Sequence, residues 1–271
     1  MYKILFTDLD ETLLNPDHHV PQVNIDAINK AKEKGVKVVL ATGRSHLMTD
    51  VTLKEIGNFD QEGEYIIAFN GAMIVEAKGF KEVLFQGLTY ETTKELFDFG
   101  INYDVCPMVF TEKNIYMFNP DPAEVERKNK QKANYTILKN DEFYKLKDER
   151  IAKMVFMKLD DPYLHEVASH MTHLTDGKVA VSYSSSRYLE FNQMNVSKGQ
   201  AVEWLSNYLN VDIKDTIAIG DNENDITMIK TAGVGIAVKC AKDDIKAIAD
   251  DVTERDFYEG AVAEAIEKYI L

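Results

Sequence analysis

Two aspartates, Asp8 and Asp10, follow directly on the apolar run Ile4-Leu5-Phe6-Thr7, with Glu11 and Thr12 behind them. A second acidic group, Gly220-Asp221-Asn222-Glu223-Asn224-Asp225, closes another apolar run, Thr216-Ile217-Ala218-Ile219. Thr42 and Gly43 close a third run, Val36–Ala41, and Lys198 opens the segment that precedes Thr216. Carboxylates brought to one point repel strongly unless a cation sits among them. Oxygen donors without His or Cys favour a hard ion, and few protein carboxylates with open positions favour Mg²⁺ over Ca²⁺.

These groups can meet only if the runs that carry them become neighbouring strands. Lys3–Thr7, Val36–Ala41 and Tyr65–Phe69 have the length and β-rich composition of buried strands, and helical spacing over Asn24–Lys34 and a helix reaching about Leu53 separate them. The rhythm returns late: a helix over Gly199–Leu209, a strand over Thr216–Ile219, a helix over Ile226–Ala232, a strand over Val234–Val238 and a last helix over Ala261–Ile270. Strand and helix in alternation give an α/β fold with a Rossmann-like parallel sheet, whose ligands sit beyond the carboxyl ends of the strands. The middle reads differently. A hairpin joins Met108–Phe110 to Ile115–Phe118, Ala152–Leu159 and Val179–Tyr183 read as strands, and a helix lies around Tyr163–Leu174. This predicts an inserted α+β domain over residues 85–187, with residues 1–84 and 188–271 forming the core. The charge-rich run Pro120–Lys132 reads as a solvated helix or loop.

Composition narrows the partners. The 271 residues carry 31 Lys plus Arg against 45 Asp plus Glu, a net charge of −14. That balance argues against general affinity for nucleic acid or anionic membrane, which need clustered cations. It leaves small phosphorylated metabolites open, since they need only a few local donors. Cys106 and Cys240 follow no metal-ligand spacing and read as reduced thiols. With no signal peptide and no long apolar span, the chain is expected to be cytoplasmic. The oligomeric state is not readable.

The four groups, in this order, resemble the haloacid dehalogenase superfamily: Asp8-Leu9-Asp10-Glu11-Thr12, Ala41-Thr42-Gly43-Arg44, Val196-Ser197-Lys198-Gly199 and Gly220–Asp225. The long insertion, Asn70-Gly71-Ala72 and the closing Gly260-Ala261-Val262-Ala263 resemble its Cof-type (IIB) subfamily, in which the insert is a cap that closes over substrate and selects the leaving group. The resemblance implies a Mg²⁺-dependent phosphatase of small phosphate monoesters, sugar phosphates by default. Asp8 is implied as the nucleophile that forms an aspartyl-phosphate, and Asp10 as general acid and then base. Mg²⁺ is implied at the Asp8 and Asp221 carboxylates and the Asp10 carbonyl. Thr42, Gly43, Lys198 and Asn224 are implied at the phosphate, with Asp225 in support. Glu11 departs from the Gly of many relatives and is expected to face solvent.

Other readings use the same residues. A phosphomutase would pass the phosphoryl group from Asp8 to another sugar hydroxyl. A phospho-acceptor module also combines acidic residues, Thr and Lys on an α/β sheet, but in a far shorter chain. Each piece also has a plain structural reading, as an Asp turn after a strand, a Thr-Gly loop or a helix cap at Asp221–Asp225. Arg44 fits a substrate contact or a structural ion pair equally. His18 and His19 read as a surface pair, and His170 and His173 have i, i+3 spacing without an evident third ligand.

Overall fold

Ile4, Leu5, Phe6 and Thr7 form strand β1 (Ile4–Thr7), and all four are buried. A strand with no exposed face needs neighbours on both edges and cover on both sides. The computed structural model, which describes residues 2–271, gives β1 that setting. The other strands are β2 (Lys37–Ala41), β3 (Tyr65–Ala68), β4 (Met73–Glu76), β5 (Lys81–Phe85), β6 (Cys106–Thr111) and β7 (Ile115–Phe118). After these come β8 (Tyr135–Leu138), β9 (Ile151–Met157), β10 (Val179–Ser184), β11 (Tyr188–Gln193), β12 (Thr216–Gly220), β13 (Val234–Ala237) and β14 (Asp251–Val252).

One unit comprises residues up to Leu84 together with Ser197–Leu271. Its sheet has the order β14-β13-β12-β1-β2-β3-β4-β5. The strands from β14 to β3 are parallel and β4 returns antiparallel, an α/β sheet of the expected class. β1 lies between β12 and β2 with Thr7 level with Ile219 and Leu40. Parallel strands in this register release their carboxyl ends together, so Asp8, Thr42 and Asp221 leave the sheet side by side. β2 lies on one side of β1 and β12 on the other, which makes β1 the point where the strand order reverses and ligands bind in open α/β sheets. The helix Lys198–Tyr208 covers this region through Ala201, Val202 and Leu205, packed with Ile4, Phe6, Val39 and Ala218.

The other unit is Phe85–Val196. Its six strands have the order β10-β11-β9-β6-β7-β8, and β6 and β7 form the expected hairpin. Leu96 and Phe97 of the helix Tyr90–Gly100, and Leu164 and Val167 of the helix Asp161–His170, pack with Val109, Met154, Phe156, Leu189 and Phe191 of the sheet. Three expectations are corrected here. The insert ends at Val196 and not at Arg187, because β11 pairs antiparallel with both β9 and β10 and is held in that sheet. The helix expected over Tyr163–Leu174 breaks at Met171, leaving Asp161–His170 and Thr172–Thr175.

The third concerns Pro120–Lys132. It contains the helix Pro122–Lys130, capped by Asp121, and one face of that helix is not solvated. Glu124 is fully buried and pairs with Lys128 at 2.7 Å, and the Tyr188 hydroxyl donates to Glu124 Oε1 at 2.7 Å. Beside it Lys153 and Glu190 form a second buried pair, and Lys128 and Lys153 lie 5.8 and 5.0 Å from the Phe110 ring centre. Charges in the sequence signalled water, but Glu124 and Lys128 pair with each other along the helix and meet the Tyr188 hydroxyl of β11, while Lys153 and Glu190 pair across β9 and β11. No helix among the described residues is long and apolar enough to cross a membrane.

Candidate active site

Backbone bonds fix the three strand ends. Asp8 N–H donates to Ile219 O at 3.0 Å, and Thr42 N–H to Ile67 O at 2.8 Å. Asp8, Asp221 and Asp225 are buried, and each offers a carboxylate oxygen within 4.8 Å of the other two. Lys198, with no exposed surface, reaches into this group from the first turn of its helix. Its Nζ donates to Asp8 Oδ1 at 2.5 Å and to Asp225 Oδ1 at 2.6 Å. The other Asp225 oxygen accepts the amides of Asp221 and Asn222, at 3.1 and 3.0 Å. Asp225 therefore caps its own turn and anchors Lys198 at once, so the helix-cap reading of this segment is realised and leaves room for the chemical one.

Three carboxylates against one ammonium leave a negative excess in a buried region. Burial pushes the Asp8 carboxyl up to about 7; Lys198 pulls against that rise and Asp225 adds to it. Asp221 is raised well above the ordinary carboxylate value, first by burial and then by Asp225 and Asp8. Burial alone would lower Lys198, but Asp225 and Asp8 outweigh it and hold the ammonium above the usual lysine value. The donor set is all oxygen, lacks charge balance and so fits a small hard dication.

Other residues foreseen in the sequence fall into place around this group. Thr42 is buried, and its Oγ1 accepts the Arg44 amide at 3.0 Å, which leaves the hydroxyl hydrogen to donate. Gly43 is half-buried in the same turn. The Asp10 carboxyl is taken by the Arg44 guanidinium through Nε to Oδ2 at 2.8 Å and through Nη2 to Oδ1, so Arg44 makes an ion pair here. Glu11 is exposed, as expected. Its φ of 58° is left-handed, a conformation Gly adopts at no steric cost.

Some partnerships were not foreseen. The Thr12 hydroxyl donates to Asp221 Oδ1 at 2.6 Å, tying the first motif to the last. Asn224 Nδ2 donates to Asn70 Oδ1 at 3.2 Å. His18, expected as a plain surface residue, is half-exposed yet lies 3.2 Å from Arg44 Nη2, whereas His19 pairs with Glu55. The only signal for Asn70 was its Asn-Gly-Ala context; nothing local marked the others. In the insert His165 stacks on Tyr183 and His170 meets the Tyr103 hydroxyl, so these rings have aromatic partners. Among the described residues the one group able to hold a metal is the aspartate cluster.

Gly71 is a structural support of this site. Its φ is 101°, and a Cβ there would lie 2.3 Å from the Ser197 carbonyl oxygen, one residue before Lys198. Gly71→Ala is expected to destabilise the protein by about 2–4 kcal/mol and to lower activity by displacing Lys198. Gly79→Ala, with φ 63° and nothing within 4 Å, should cost only about 1 kcal/mol. Urea melts of both variants check this, and equal losses contradict it.

Comparison with known proteins adds the following. A family model described as haloacid dehalogenase-like hydrolase matches residues 5–266. YxeH of Bacillus subtilis (strain 168), which carries a provisional phosphatase name, is 33% identical over 274 residues, spanning 100% of this chain and 99% of that protein. YcsE of the same organism, named a 5-amino-6-(5-phospho-D-ribitylamino)uracil phosphatase, is 28% identical over 99% of this chain and 96% of its own. A crystal structure of a haloacid dehalogenase-like hydrolase from Bacteroides thetaiotaomicron superposes with a TM-score of 0.84 at 26% identity, covering 98% of this chain and 99% of that one.

Proposed function

The chain belongs to the haloacid dehalogenase-like hydrolase family, and from that premise we propose that it is a Mg²⁺-dependent phosphatase of small phosphate monoesters, acting through an aspartyl-phosphate on Asp8. The observation that carries this reading is the buried set of Asp8, Asp221 and Asp225 around Lys198, at the carboxyl ends of β1 and β12. The phospho-acceptor reading is set aside, since the family match spans nearly the whole chain, insert included.

The carboxylates of Asp8 and Asp221 and the backbone carbonyl of Asp10 would hold Mg²⁺. Asp225 is left as a support because both its oxygens are engaged. Bound there, the ion offsets the charge between an anionic nucleophile and an anionic phosphate. Asp8 attacks phosphorus, the bond to the leaving oxygen breaks, and Asp10 gives that oxygen its proton. Asp10 then takes a proton from the water that hydrolyses the aspartyl-phosphate. Thr42 donates its hydroxyl hydrogen to the phosphoryl group, Lys198 balances its charge, and Asn224, steadied by Asn70, offers its remaining amide hydrogen. The half-buried Gly43 leaves its backbone amide to the phosphate. Sugar phosphates and related polyol phosphates are the proposed substrate class, in keeping with the ribityl phosphate in the name of YcsE. Selection among them is assigned to the insert, acting as a cap, and the protein is assigned to the cytoplasm.

The test is phosphate release from a panel of phosphorylated metabolites with Mg²⁺ present. Release from some members, lost with EDTA and restored by Mg²⁺, supports the reading. Full activity in EDTA overturns the metal, and movement of the phosphoryl group between positions without release makes the enzyme a mutase.

Metal binding also has a readout in stability. Asp8 and Asp221 have higher carboxyl pKa values folded than unfolded, so folding favours their neutral forms. The Asp8 contribution is fully present below about pH 4 and is lost as pH rises through about 7, and that of Asp221 is lost in the same direction. The melting temperature of metal-free protein should fall over this range. Millimolar Mg²⁺ should raise it by several degrees at pH 8 and by little at pH 5.5. A rise as large at pH 5.5 contradicts the assignment.

A further inference from the structure

Asp8 and Asp10 are two residues apart, yet the fold gives them different cations. Asp8 receives the point charge of Lys198, which it shares with Asp225. Asp10 receives the fork of Arg44, which meets both carboxylate oxygens. We infer that Arg44 is the positioning residue for Asp10, holding the carboxyl in one orientation for proton transfer at the leaving-group oxygen. The inference rests on the acid–base role proposed for Asp10.

Arg44 is itself fixed at both main-chain groups. Its N–H donates to Thr42 Oγ1 at 3.0 Å, and its carbonyl accepts Phe69 N–H at 3.0 Å. The guanidinium therefore projects from a point tied to the threonine assigned to the phosphate. Its side chain is 15% exposed against 35% for Asp10, so the fork is the more enclosed of the two partners. His18 faces the pair from the other side, with Nδ1 3.2 Å from Arg44 Nη2 and 3.6 Å from Asp10 Oδ1. The His18 loop is built to hold that place. Asn15 Oδ1 accepts the amides of Asp17 and His19, both at 3.0 Å, Asn15 O accepts that of His18, and His18 has a φ of 62°.

The chemistry suits an arginine. A guanidinium neither gives up nor takes a proton near neutrality, so it orients Asp10 without itself entering the proton transfer. Each carboxylate oxygen has two lone-pair sites, and the fork uses one on each. In the step served, Asp8 forms a bond to phosphorus, the phosphorus–oxygen ester bond breaks, and the leaving oxygen takes the Asp10 proton. A basic alkoxide needs that proton, whereas a nitrophenolate departs without it.

The experiment therefore compares kcat/KM, which reports this first step, for p-nitrophenyl phosphate and glycerol 2-phosphate in wild type, Arg44→Ala, Arg44→Lys, Asp10→Asn and the Ala/Asn double variant. Asp10→Asn and Arg44→Ala should each lose about 10²-fold or more on glycerol 2-phosphate and less than about tenfold on the nitrophenyl ester. Arg44→Lys, which keeps the charge and loses the fork, should recover part of that loss. The double variant should lose no more than Asp10→Asn alone. Equal losses on both esters for Arg44→Ala, with Asp10→Asn still selective, overturn this inference and make Arg44 a phosphate contact or a general support. If Asp10→Asn is itself unselective, the acid–base reading of Asp10 fails first. Melting curves report whether each variant is folded, and Arg44→Lys carries the test if Arg44→Ala is not.

Discussion

Asp8→Asn should reduce turnover of every phosphate monoester by about four orders of magnitude or more while leaving the fold intact. Removing a covalent nucleophile eliminates the divided pathway and leaves only the binding and electrostatic contributions of the remaining site. Asparagine has nearly the shape of aspartate, so the packing of β1 between β12 and β2 is undisturbed. The stability effect distinguishes chemistry from structure. Asp8 is one of three buried carboxylates facing a single ammonium, and burial and Asp225 resist its ionisation. Its neutral replacement relieves that repulsion, and Lys198 keeps Asp225 as partner. The variant should therefore melt no lower than wild type at pH 8 and possess no activity. A variant that is both inactive and strongly destabilised indicates a structural role for Asp8, and one that retains turnover excludes it as nucleophile.

Lys198→Met should have the largest effect on stability. The ammonium is fully buried and is bonded to Asp8 and Asp225, with Asp221 adjoining. Methionine fills much the same volume but leaves three carboxylates with no counter-charge. Losing one partner of a buried ion pair costs about 3–5 kcal/mol, a large part of a total stability of about 5–15 kcal/mol. The loss should depend on pH in a definite sense. Without the lysine, the carboxylates are relieved only by taking up protons, so the deficit is greatest at pH 8 and shrinks toward pH 5. Urea unfolding of the variant and wild type at the two pH values measures this. A deficit that is small, or the same at both, contradicts the view that Lys198 is the counter-charge of the cluster. Activity should fall with it, since the same ammonium is assigned to the transferring phosphate.

The two variants together explain why this charge arrangement is kept. Well-packed apolar residues in place of the four charged ones would remove the desolvation cost and could hold the sheet as well or better. The carboxylates instead stand at the carboxyl end of β1, where strand order reverses, three of them around one ammonium. On the proposed reading, a bound metal would offset that cost, which is why the Mg²⁺ shift should grow with pH.

The amino-acid order by itself determined the class of fold and the strand ends that carry the acidic groups. A run such as Ile4–Phe6 that stops at Asp8, or Ile217–Ile219 that stops at Gly220-Asp221, records a backbone preference and its end within a few residues, and backbone periodicity is local information. The first boundary of the insert, at Leu84, was legible for the same reason, because alternation gives way there to hairpins. The second was not. Whether β11 belongs to one sheet or the other depends on its pairing with β9 and β10, and no residue in Tyr188–Gln193 states that. The side-chain partnerships were equally out of reach. Thr12 meets Asp221 across 209 positions, Asn224 meets Asn70 across 154, and Arg44 meets Asp10 across 34. Each depends on strand register and on the direction of a loop, which only the assembled sheet sets. The charges of Glu124 and Lys128 even pointed the wrong way, since a charged pair on one helix face signals water until a facing element, here Tyr188 of β11, covers it. So Asp8-Leu9-Asp10-Glu11-Thr12 marked the acidic strand end, while tertiary structure decided that Arg44 should meet the second aspartate.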